Sequence, residues 1–591
     1  MPPPPRTHVV RDPVHGYVEV PGELGPLVAT PAVQRLRYVA QTARAVVRYP
    51  SLTGTRFEHA LGTMHLALRG WREAWARCSP GPDEDRDAVR AAFVDDVLAD
   101  LEREPDPDPV TAAWLVAVRG PGGADAFAHG IGLALGAVGL LHDVGHPPFS
   151  HILEPFYAAR VPEVFGADGA AGYEEYEKAC AHGAQFHEWA GLAIVDRLPG
   201  EAFAHLPRLL VHRLLADRTG AGWADALHGL VDGQFDVDRL DYLMRDADRA
   251  GTEFGAIDHE RLLTSLELHR SPGRGWAIGL GARAISAFET LLVQRAQLYR
   301  WVNHHHAVVA ADTALRRCVT AVHHLSTRPV PDGASAAGEP LAALRDALPD
   351  LDYVTAATAP PTDGACTDDL ALLSWLRRAV PALQRLASQD DDPALARRAR
   401  TALGLHGLCD AFTVTAVPAW RNYQELLARA EQNPDAVRAV VAAAPPARVP
   451  DHLVTAPARE AYAALSGEVS ARLNEALDAL LLAGGGTPED AEERLGALAA
   501  EVPGLGEGFW LLARLPFLAV KEEFATVWRG NDESPLSAVS PFPLALTAIE
   551  AMRPRWMVFF VPYDGAPDDT DKHARREVGR VLLEAVATLA R

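Results

Sequence analysis

A histidine and an aspartate stand side by side at the end of an apolar segment, and this pair constrains the fold most. Residues 130–141 are apolar and rich in Gly and Ala, which predicts a buried helix that ends at His142 and Asp143. Gly145 and the prolines that follow it end that helix. A neutral imidazole beside a carboxylate is typical of a divalent metal site, so we expect the helix to deliver this pair to an interior cleft.

Two other segments offer further ligands, which a metal site of this kind needs. Residues 56–71 predict an amphipathic helix that bears His59 in its first turn. Residues 235–242 place Asp236, Asp238 and Asp241 at a predicted helix start. Each segment also has an ordinary explanation, because a single histidine on an apolar face is usually a core residue and aspartates often cap helices.

The charge of the chain argues against one large class of partners. The 591 residues include 56 basic and 78 acidic side chains, for a net charge of −22. A phosphate backbone would repel such a chain, so we expect no general nucleic-acid binding. A nucleotide substrate stays possible, since a metal and a few arginines make a pocket locally positive. Hydrophobic residues make up 48%, enough for a large core.

Cysteine use and the absence of apolar leader or spanning segments predict a soluble cytoplasmic protein with no membrane partner. The N-terminus begins with Met and four prolines and has no apolar signal segment. No uninterrupted apolar run reaches the length of a membrane span. The cysteines form no CxxC pair, which is typical of a reducing compartment. They are Cys78, Cys180, Cys318, Cys366 and Cys409.

Periodicity predicts a mainly α protein, with a helical core over residues 1–325 and an α+β lobe over 326–591. Residues 128–325 are predicted to be almost wholly helical, 326–363 to be connecting loops, and 555–562 to be a strand. An acidic segment at about 79–127 separates His59 from the His-Asp pair. We interpret it as a surface insertion, with a lid or an oligomer contact as the alternatives.

Several motifs follow one another through the first half of the chain. They are Arg11-Asp12-Pro13-Val14-His15-Gly16, Thr30-Pro31-Ala32-Val33-Gln34-Arg35-Leu36-Arg37, Arg56-Phe57-Glu58-His59, the run from His142, Phe186-His187-Glu188 and Asp238-Arg239-Leu240-Asp241-Tyr242. In this order they resemble the HD superfamily of metal-dependent phosphohydrolases. More narrowly, they are similar to its deoxynucleoside triphosphate triphosphohydrolase branch. A His-Asp pair alone would be a weak signal, whereas the ordered set is specific.

The resemblance implies a role for each motif in metal binding and catalysis. The metal ligands would be His59, His142, Asp143 and Asp238. Two imidazoles and two carboxylates suit a divalent ion such as Fe, Mn, Mg, Zn or Ni, and the sequence does not choose among them. His187 matches the catalytic histidine and Glu154 its acidic partner, although relatives more often carry Asp there. His146 and His151 would contact the region of the scissile phosphate.

The same resemblance implies a substrate pocket and an assembly. Arg56, Arg239 and Arg295 would bind a triphosphate, although any one such arginine is more often a surface ion-pair partner. Gln41 would contact the sugar, Tyr242 would pack where a 2′-hydroxyl would lie, and Asp246 would accept from the 3′-hydroxyl. The expected activity releases deoxynucleoside and inorganic triphosphate, and the expected state is a homo-oligomer.

Two departures from the family pattern leave alternatives open. Thr42-Ala43 follows Gln41 where relatives carry Leu-Gly, so packing around the base should differ. Ala29 stands where eukaryotic relatives carry an Asp that reads a guanine activator. One alternative is an HD enzyme acting on an NTP, a nucleoside monophosphate or a cyclic nucleotide. Another is a nucleotide-sensing scaffold with a degenerate site, which the full ligand set disfavours.

Overall fold

The structure is a computed structural model of the 591-residue chain. It describes residues 6–78, 85–164, 174, 176–178, 185–216, 222–233, 235–271, 275–330, 336–359, 365–410 and 417–420. Towards the C-terminus it describes residues 478–479, 482, 487, 490–492, 508–515, 526–529, 532–543, 545–546 and 556–562.

The protein is mainly α, as the sequence predicts. The helices of the first half are α1 (Gly25–Val28), α2 (Pro31–Arg35), α3 (Arg56–Ala76), α4 (Arg86–Leu101), α5 (Pro109–Arg119), α6 (Gly123–Leu141), α7 (Glu154–Ala158), α8 (Val161–Val164), α9 (Phe186–Arg197), α10 (Arg208–Ala216), α11 (Trp223–His228), α12 (Val237–Ala250), α13 (His259–Leu263) and α14 (Ile285–Leu298). They continue with α15 (His306–Ser326), α16 (Gly338–Asp346), α17 (Tyr353–Thr358), α18 (Asp369–Ala387), α19 (Pro393–Asp410) and α20 (Leu536–Val539).

Among the described residues, the strands form one two-stranded and two larger sheets. They are β1 (His8–Asp12), β2 (Gly16–Val20), β3 (Leu266–Ser271), β4 (Gly275–Gly281), β5 (Val417–Trp420), β6 (Gly508–Arg514), β7 (Thr526–Arg529), β8 (Asp532–Pro535) and β9 (Trp556–Pro562). β1 and β2 pair antiparallel, with His8 opposite Val20. A second sheet has the order β3-β4-β7-β8 and a third the order β5-β9-β6. The strand predicted at residues 555–562 is therefore confirmed as β9.

Helices α3 and α6 cross at the centre of the helical core. The middle of α6 is apolar on all sides, and Ile131, Leu135 and Leu140 are fully buried. Gly139 allows the close approach, because a Cβ there would lie 2.8 Å from the backbone nitrogen of Met64. Burial of each large apolar side chain stabilises the fold by about 1.5–3 kcal/mol. The predicted buried helix before the His-Asp pair is thus present.

Helix α6 is also long and apolar enough to cross a membrane by length and composition. Most of it is buried inside the protein, however, with Ile131 and Leu135 enclosed by other helices. Its apolar surface is therefore used in the core.

Two sequence predictions about secondary structure are wrong. Residues 128–325 are not almost wholly helical, because β3 and β4 form an antiparallel hairpin with Leu266 opposite Leu280. Residues 326–363 are not simply loops, because α16 and α17 lie there and bury Leu344 and Tyr353. In both places short apolar segments pack against distant parts of the chain, which local periodicity does not reveal.

The described part of the acidic segment, residues 85–127, packs into the core instead of forming only a surface loop. Phe93 of α4 is fully buried. Its ring lies 4.9 Å from that of Trp276 and 5.9 Å from that of Phe127, in edge-to-face geometry. Aromatic pairs of this kind contribute about 0.5–1.5 kcal/mol beyond their buried area. Helix α4 therefore packs its apolar side against the core, and the interpretation of the segment as an insertion stays a prediction.

The middle and last thirds of the chain share one sheet. β4 pairs in parallel with β7, where Leu280 lies opposite Val527. The domain boundary at residue 325 stays a prediction, and the sheet crosses it.

Candidate active site

Three helices bring the four predicted metal ligands together. His59 lies in the first turn of α3, and His142 and Asp143 follow the last turn of α6. Asp238 is in the first turn of α12, which Asp236 caps by accepting from the Arg239 backbone amide at 2.7 Å. Asp236 therefore serves as a cap, which leaves Asp238 to face the histidines.

The ligand atoms converge within a few ångströms. His59 Nε2 lies 2.7 Å from Asp238 Oδ1 and 3.5 Å from Asp143 Oδ2. His142 Nε2 lies 3.5 Å from Asp238 Oδ1 and 3.4 Å from Asp143 Oδ2. The rings of His59 and His142 meet edge to face, with centroids 5.3 Å apart. Two imidazole nitrogens and two carboxylates thus surround one small volume.

The chemistry of this donor set fits a divalent ion. The Nε2 atoms of His59 and His142 are buried and make no hydrogen bond of acceptable geometry with a described residue. Burial would lower the pKa of His59, but Asp238 and Asp241 outweigh burial and raise it to about 10. In Asp238, burial acts to raise the pKa, and His142 and His59 hold it below its ordinary value. An ion at this point would take the place of protons and give the buried nitrogens a partner.

A second cluster lies beside the first and contains the four predicted catalytic residues. Glu154 Oε1 lies 2.6 Å from His151 Nδ1, 3.1 Å from His187 Nδ1 and 3.2 Å from His146 Nδ1. The rings of His146 and His187 stack with centroids 3.9 Å apart. His146 also reaches the metal cluster, because its Nε2 lies 3.1 Å from Asp143 Oδ1. One carboxylate oxygen therefore orients three imidazoles.

The electrostatics of this second cluster favour an ionised glutamate and a neutral His146. Burial raises the pKa of Glu154, but the hydrogen bonds from His146, His151 and His187 outweigh burial and hold it far below its usual range. Burial, with the charge of Arg56 nearby, lowers the pKa of His146 to about 3. The four residues have a composition that could itself hold a metal ion. Of the three Nδ1 atoms near Glu154 Oε1, that of His187 forms a hydrogen bond at 3.1 Å, whereas that of His146 has no hydrogen-bond partner among the described residues.

Residues far away along the chain hold the turn between the two clusters, residues 142–151, which we call the HD turn. Arg35 donates to the carbonyls of Val144 at 2.7 Å and His146 at 2.8 Å. The Tyr353 hydroxyl donates to the Gly145 carbonyl at 2.7 Å.

Asp369 holds the next part of the HD turn. Its carboxylate accepts from the backbone amides of Phe149 at 2.7 Å and Ala40 at 2.9 Å. Phe149 and Ser150 have φ values of 57° and 56°, a left-handed conformation that non-glycine residues adopt only when the surroundings impose it. Asp369 therefore helps to fix an unusual backbone next to His151.

A cavity of about 850 Å³ opens onto both clusters. Its lining includes every predicted substrate-binding residue, together with His142, Asp143, Asp238, His151 and His187. These substrate-binding residues are Gln41, Arg56, Arg239, Tyr242, Asp246 and Arg295. His59, His146 and Glu154 lie behind this surface and are buried. No residue in the described part of the acidic segment, 85–127, lines the cavity.

The predicted phosphate-binding arginines differ in their surroundings. Arg56 is buried, forms an ion pair with Asp143 and donates from Nε to Ser150 Oγ at 2.7 Å. Arg239 lies 3.4 Å from Asp236, the cap of its own helix. The Arg295 guanidinium lies 5.6 Å from the centroid of the Tyr299 ring. Each guanidinium borders the cavity, and their roles in phosphate binding stay predictions.

The predicted sugar-binding residues lie one turn apart on α12. Tyr242 borders the cavity, and burial together with Tyr299 raises its pKa well above the ordinary value, so its hydroxyl stays protonated. Asp246 Oδ1 is buried and has no hydrogen-bond partner among the described residues. Burial raises the pKa of Asp246 to about 7. A ligand hydroxyl at this position would give that oxygen the partner it lacks.

Several residues that border the cavity were not predicted from the sequence. Asp312 and Arg316 come from α15, and Arg514 comes from the end of β6. No motif marks them, since they are far from the ligands along the chain. Asp241 was also given no role, although it lies inside a motif and three residues after Asp238.

Comparisons with known proteins fit this geometry. The chain is 28% identical over 313 residues to an uncharacterised protein of Methanocaldococcus jannaschii, which covers 53% of this chain and 49% of that protein. It is 30% identical over 146 residues to the deoxynucleoside triphosphate triphosphohydrolase SAMHD1 of Gallus gallus. This match covers 25% of this chain and 17% of that protein. It spans about half the length of the curated relatives it matches over the longest segments.

Two further comparisons add little. No family model matches the chain. A solved phosphohydrolase structure from Bacteroides thetaiotaomicron covers 95% of this chain and 100% of that chain, at a TM-score of 0.47 and 18% identity. A similarity at that level supports no conclusion about function.

The ordered motifs, the clustered ligands and the matched relatives agree on one class of protein. They support an assignment to the HD-domain phosphohydrolase superfamily. Within that superfamily, the chain is similar to the deoxynucleoside triphosphate triphosphohydrolases.

Proposed function

We propose that the protein is a metal-dependent hydrolase that converts deoxynucleoside triphosphates to deoxynucleosides and inorganic triphosphate. The observation that carries this proposal is the shared cavity of about 850 Å³. This cavity is bordered or backed by all the predicted groups: the metal ligands, the His-Glu cluster, three arginines and the two predicted sugar-binding residues of α12. Cavities of roughly 300–1,000 Å³ suit small ligands such as nucleotides.

The chain's own side chains would bind and orient such a substrate. Guanidinium groups of Arg56, Arg239 and Arg295 would neutralise phosphate oxygens, because planar donors match their geometry. The site needs this charge, since the chain as a whole is strongly acidic. Bound phosphate would compete with Asp143 for Arg56 and so release that carboxylate towards the ion.

His187 and Glu154 would carry out the proton transfer of the reaction. Glu154 accepts a hydrogen bond from His187 Nδ1. The Nε2 atom of His187 is then left to exchange a proton with the reacting groups. His187 and His151 border the cavity, whereas His146 is fully buried. A divalent ion held by His59, His142, Asp143 and Asp238 would lower the pKa of a bound water and withdraw charge from the phosphate.

The sugar contacts make the first prediction. Tyr242 should exclude a 2′-hydroxyl, because an unpaired buried hydroxyl costs roughly 1–3 kcal/mol. Wild type should therefore prefer dATP to ATP by about one to two orders of magnitude in kcat/KM, since each 1.4 kcal/mol is tenfold. Tyr242→Ala should narrow that ratio and also lower activity. Kinetics on paired dNTPs and NTPs, with triphosphate release measured, test the prediction.

Tyr38 provides a matched control, because its side chain is exposed and does not border the cavity. Tyr38→Ala should keep the wild-type ratio. Equal hydrolysis of ATP and dATP by wild type would contradict the steric role of Tyr242. The alternative of a less selective HD phosphohydrolase would then replace the proposal. A panel that includes monophosphates and cyclic nucleotides would identify its substrate.

A smaller cavity concerns activation. It has a volume of about 660 Å³, lies beside the β1-β2 hairpin and is lined by Ala29, Gln34 and Arg37 among others. Gln34 accepts from Arg37 Nε at 2.8 Å and donates to the Val28 carbonyl at 2.8 Å. The two polar side chains are therefore bonded within the protein, and Ala29 offers no carboxylate.

We predict that GTP is not an obligatory activator through this cavity. A guanine edge without the carboxylate partner would lose a charge-assisted hydrogen bond of about 1.5–3 kcal/mol. Hydrolysis of dATP should begin without GTP, and added GTP should raise the rate little. A strong GTP requirement that disappears in Gln34→Ala or Arg37→Ala would show that the cavity binds the activator in another way.

Two other expectations belong to this proposal. A homo-oligomer is expected from the family resemblance, and light scattering on the active protein would test it. A cytoplasmic location is expected from the cysteine pattern.

A further inference from the structure

A buried polar network lies directly behind the metal ligand His59. Its centre is Asp241, which is fully buried in α12. Asp241 Oδ2 accepts from His59 Nδ1 at 2.8 Å and from Arg245 Nε at 2.9 Å. Its Oδ1 lies 2.6 Å from His15 Nε2 and accepts from Arg245 Nη2 at 2.8 Å. Each oxygen of this one carboxylate therefore has two partners.

The first hairpin extends the network. Arg245 donates from Nη1 to Asp12 Oδ2 at 2.8 Å. Asp12 Oδ1 accepts from the backbone amides of Val14 and His15 at 2.9 Å each, so the same residue also shapes the β1-β2 turn. The first motif of the chain, residues 11–16, thus reaches Asp241 by two routes, through His15 and through Arg245.

Helices α3 and α12 pack closely beside Asp241. Gly62 lies one helical turn after His59, and a Cβ on Gly62 would lie 1.8 Å from Asp241 Oδ1. The close approach of the carboxylate to α3 therefore depends on that glycine. This approach brings Asp241 to the Nδ1 edge of the His59 ring, away from Nε2.

Arg245 joins the two carboxylates of the network, since it donates to both Asp12 and Asp241. All three side chains are buried. An unpaired charge at this depth would be costly, so the bonds among the three groups hold Asp241 in a fixed position beside His59.

We propose that Asp241 is a positioning residue for the metal site, and that Asp12 and His15 hold Asp241 in place. Asp241 accepts a hydrogen bond from the Nδ1–H group of His59. This bond fixes the tautomer and the ring orientation of His59 and leaves Nε2 as the ligand atom. Carboxylate-histidine-metal arrangements raise the basicity of the ligand, and loss of the outer carboxylate weakens metal binding by about 10–100-fold. This inference rests on the proposed metal-dependent function but not on the identity of the substrate.

The decisive measurement is metal affinity in Asp241→Asn. The amide has one oxygen where two are needed, so its NH₂ group must face a donor from His59, His15 or Arg245. We expect Mn²⁺ and Co²⁺ to bind about 10–100-fold more weakly, measured by competition with a chromophoric chelator. Asp248→Asn is the matched control, because Asp248 lies on the same helix and is exposed. Its affinity should equal that of wild type.

A purely structural role for Asp241 would give a different pattern. If Asp241 acts on the metal, raising the metal concentration should restore hydrolysis in Asp241→Asn, and the visible spectrum of its Co²⁺ form should shift. If Asp241 only holds the fold together, thermal stability should fall while excess metal restores nothing. That result, or an unchanged metal affinity, would overturn the inference.

A second variant covers the case in which Asp241→Asn does not fold. Asp12→Asn leaves the contact with His59 intact and loosens Arg245, so it should weaken Mn²⁺ binding by a smaller factor. Unchanged affinity in a folded Asp12→Asn would then overturn the inference. A wild-type protein that binds metal but hydrolyses no nucleotide would contradict the proposed function alone. A wild type that binds no divalent metal would contradict both.

Discussion

Replacing His142 or Asp238 with alanine is expected to abolish metal binding and hydrolysis together. Both side chains border the cavity and contribute atoms to the same small cluster. Without the ion, the site loses several kcal/mol of transition-state stabilisation, which corresponds to about a thousandfold or more in rate. Metal content by mass spectrometry and initial rates on a dNTP should fall in parallel.

Two substitutions on the same helices serve as controls. His129 lies on α6 with a side chain that is 65% exposed, and Asp248 lies exposed on α12. His129→Ala and Asp248→Ala should retain both metal and activity. Full activity in either His142→Ala or Asp238→Ala would refute the ligand assignment.

Replacing His187 with alanine is expected to lower kcat by about 10²–10⁴-fold while the metal stays bound. The ring is stacked on His146 and oriented by Glu154, so it is placed to move a proton at the cavity surface. Glu154→Gln should have a similar effect, because a neutral amide is a weaker acceptor than a carboxylate and no longer stabilises a charged imidazole. Steady-state kinetics and metal analysis on the same preparations separate this effect from loss of the ion.

His212 offers the control for this second prediction. It lies on α10 with a side chain that is 40% exposed, and it does not border the cavity. His212→Ala should behave as wild type. Loss of metal in His187→Ala would instead indicate that the His-Glu cluster binds an ion of its own. A His187→Ala enzyme with the wild-type kcat would mean that another group moves the proton.

The positions that the sequence predicts are those set by local rules. The end of α6 can be read from Gly145 and the prolines after it, and that end places His142 and Asp143. The helix start at residues 235–242 was also expected, whereas the choice of Asp238 as a ligand came from the resemblance. The six substrate-binding residues were expected through resemblance alone, and the structure brings all of them to one cavity. Their individual roles stay predictions.

The parts that were missed depend on contacts between distant residues. Asp369 binds the amide of Phe149 across 220 residues of sequence, and no periodicity marks such a pair. The β3-β4 hairpin lies in a region of helices, and its strands are only six and seven residues long. The apolar spacing around Phe93 predicts a helix but does not show what that helix packs against. The burial of Phe93 in the core was therefore not predicted. In each case packing decides the outcome, and packing is not a local property.

The contacts that hold the HD turn bear on what counts as the catalytic unit. A fragment that ended at residue 325 would contain every predicted ligand, catalytic residue and substrate contact. It would lack Tyr353, Thr367 and Asp369, whose hydroxyl, carbonyl and carboxylate bond to the turn itself or to the Arg35 that supports it. The motifs alone therefore mark out a shorter enzyme than the one that the hydrogen bonds define. The smallest working catalyst should extend at least through α18.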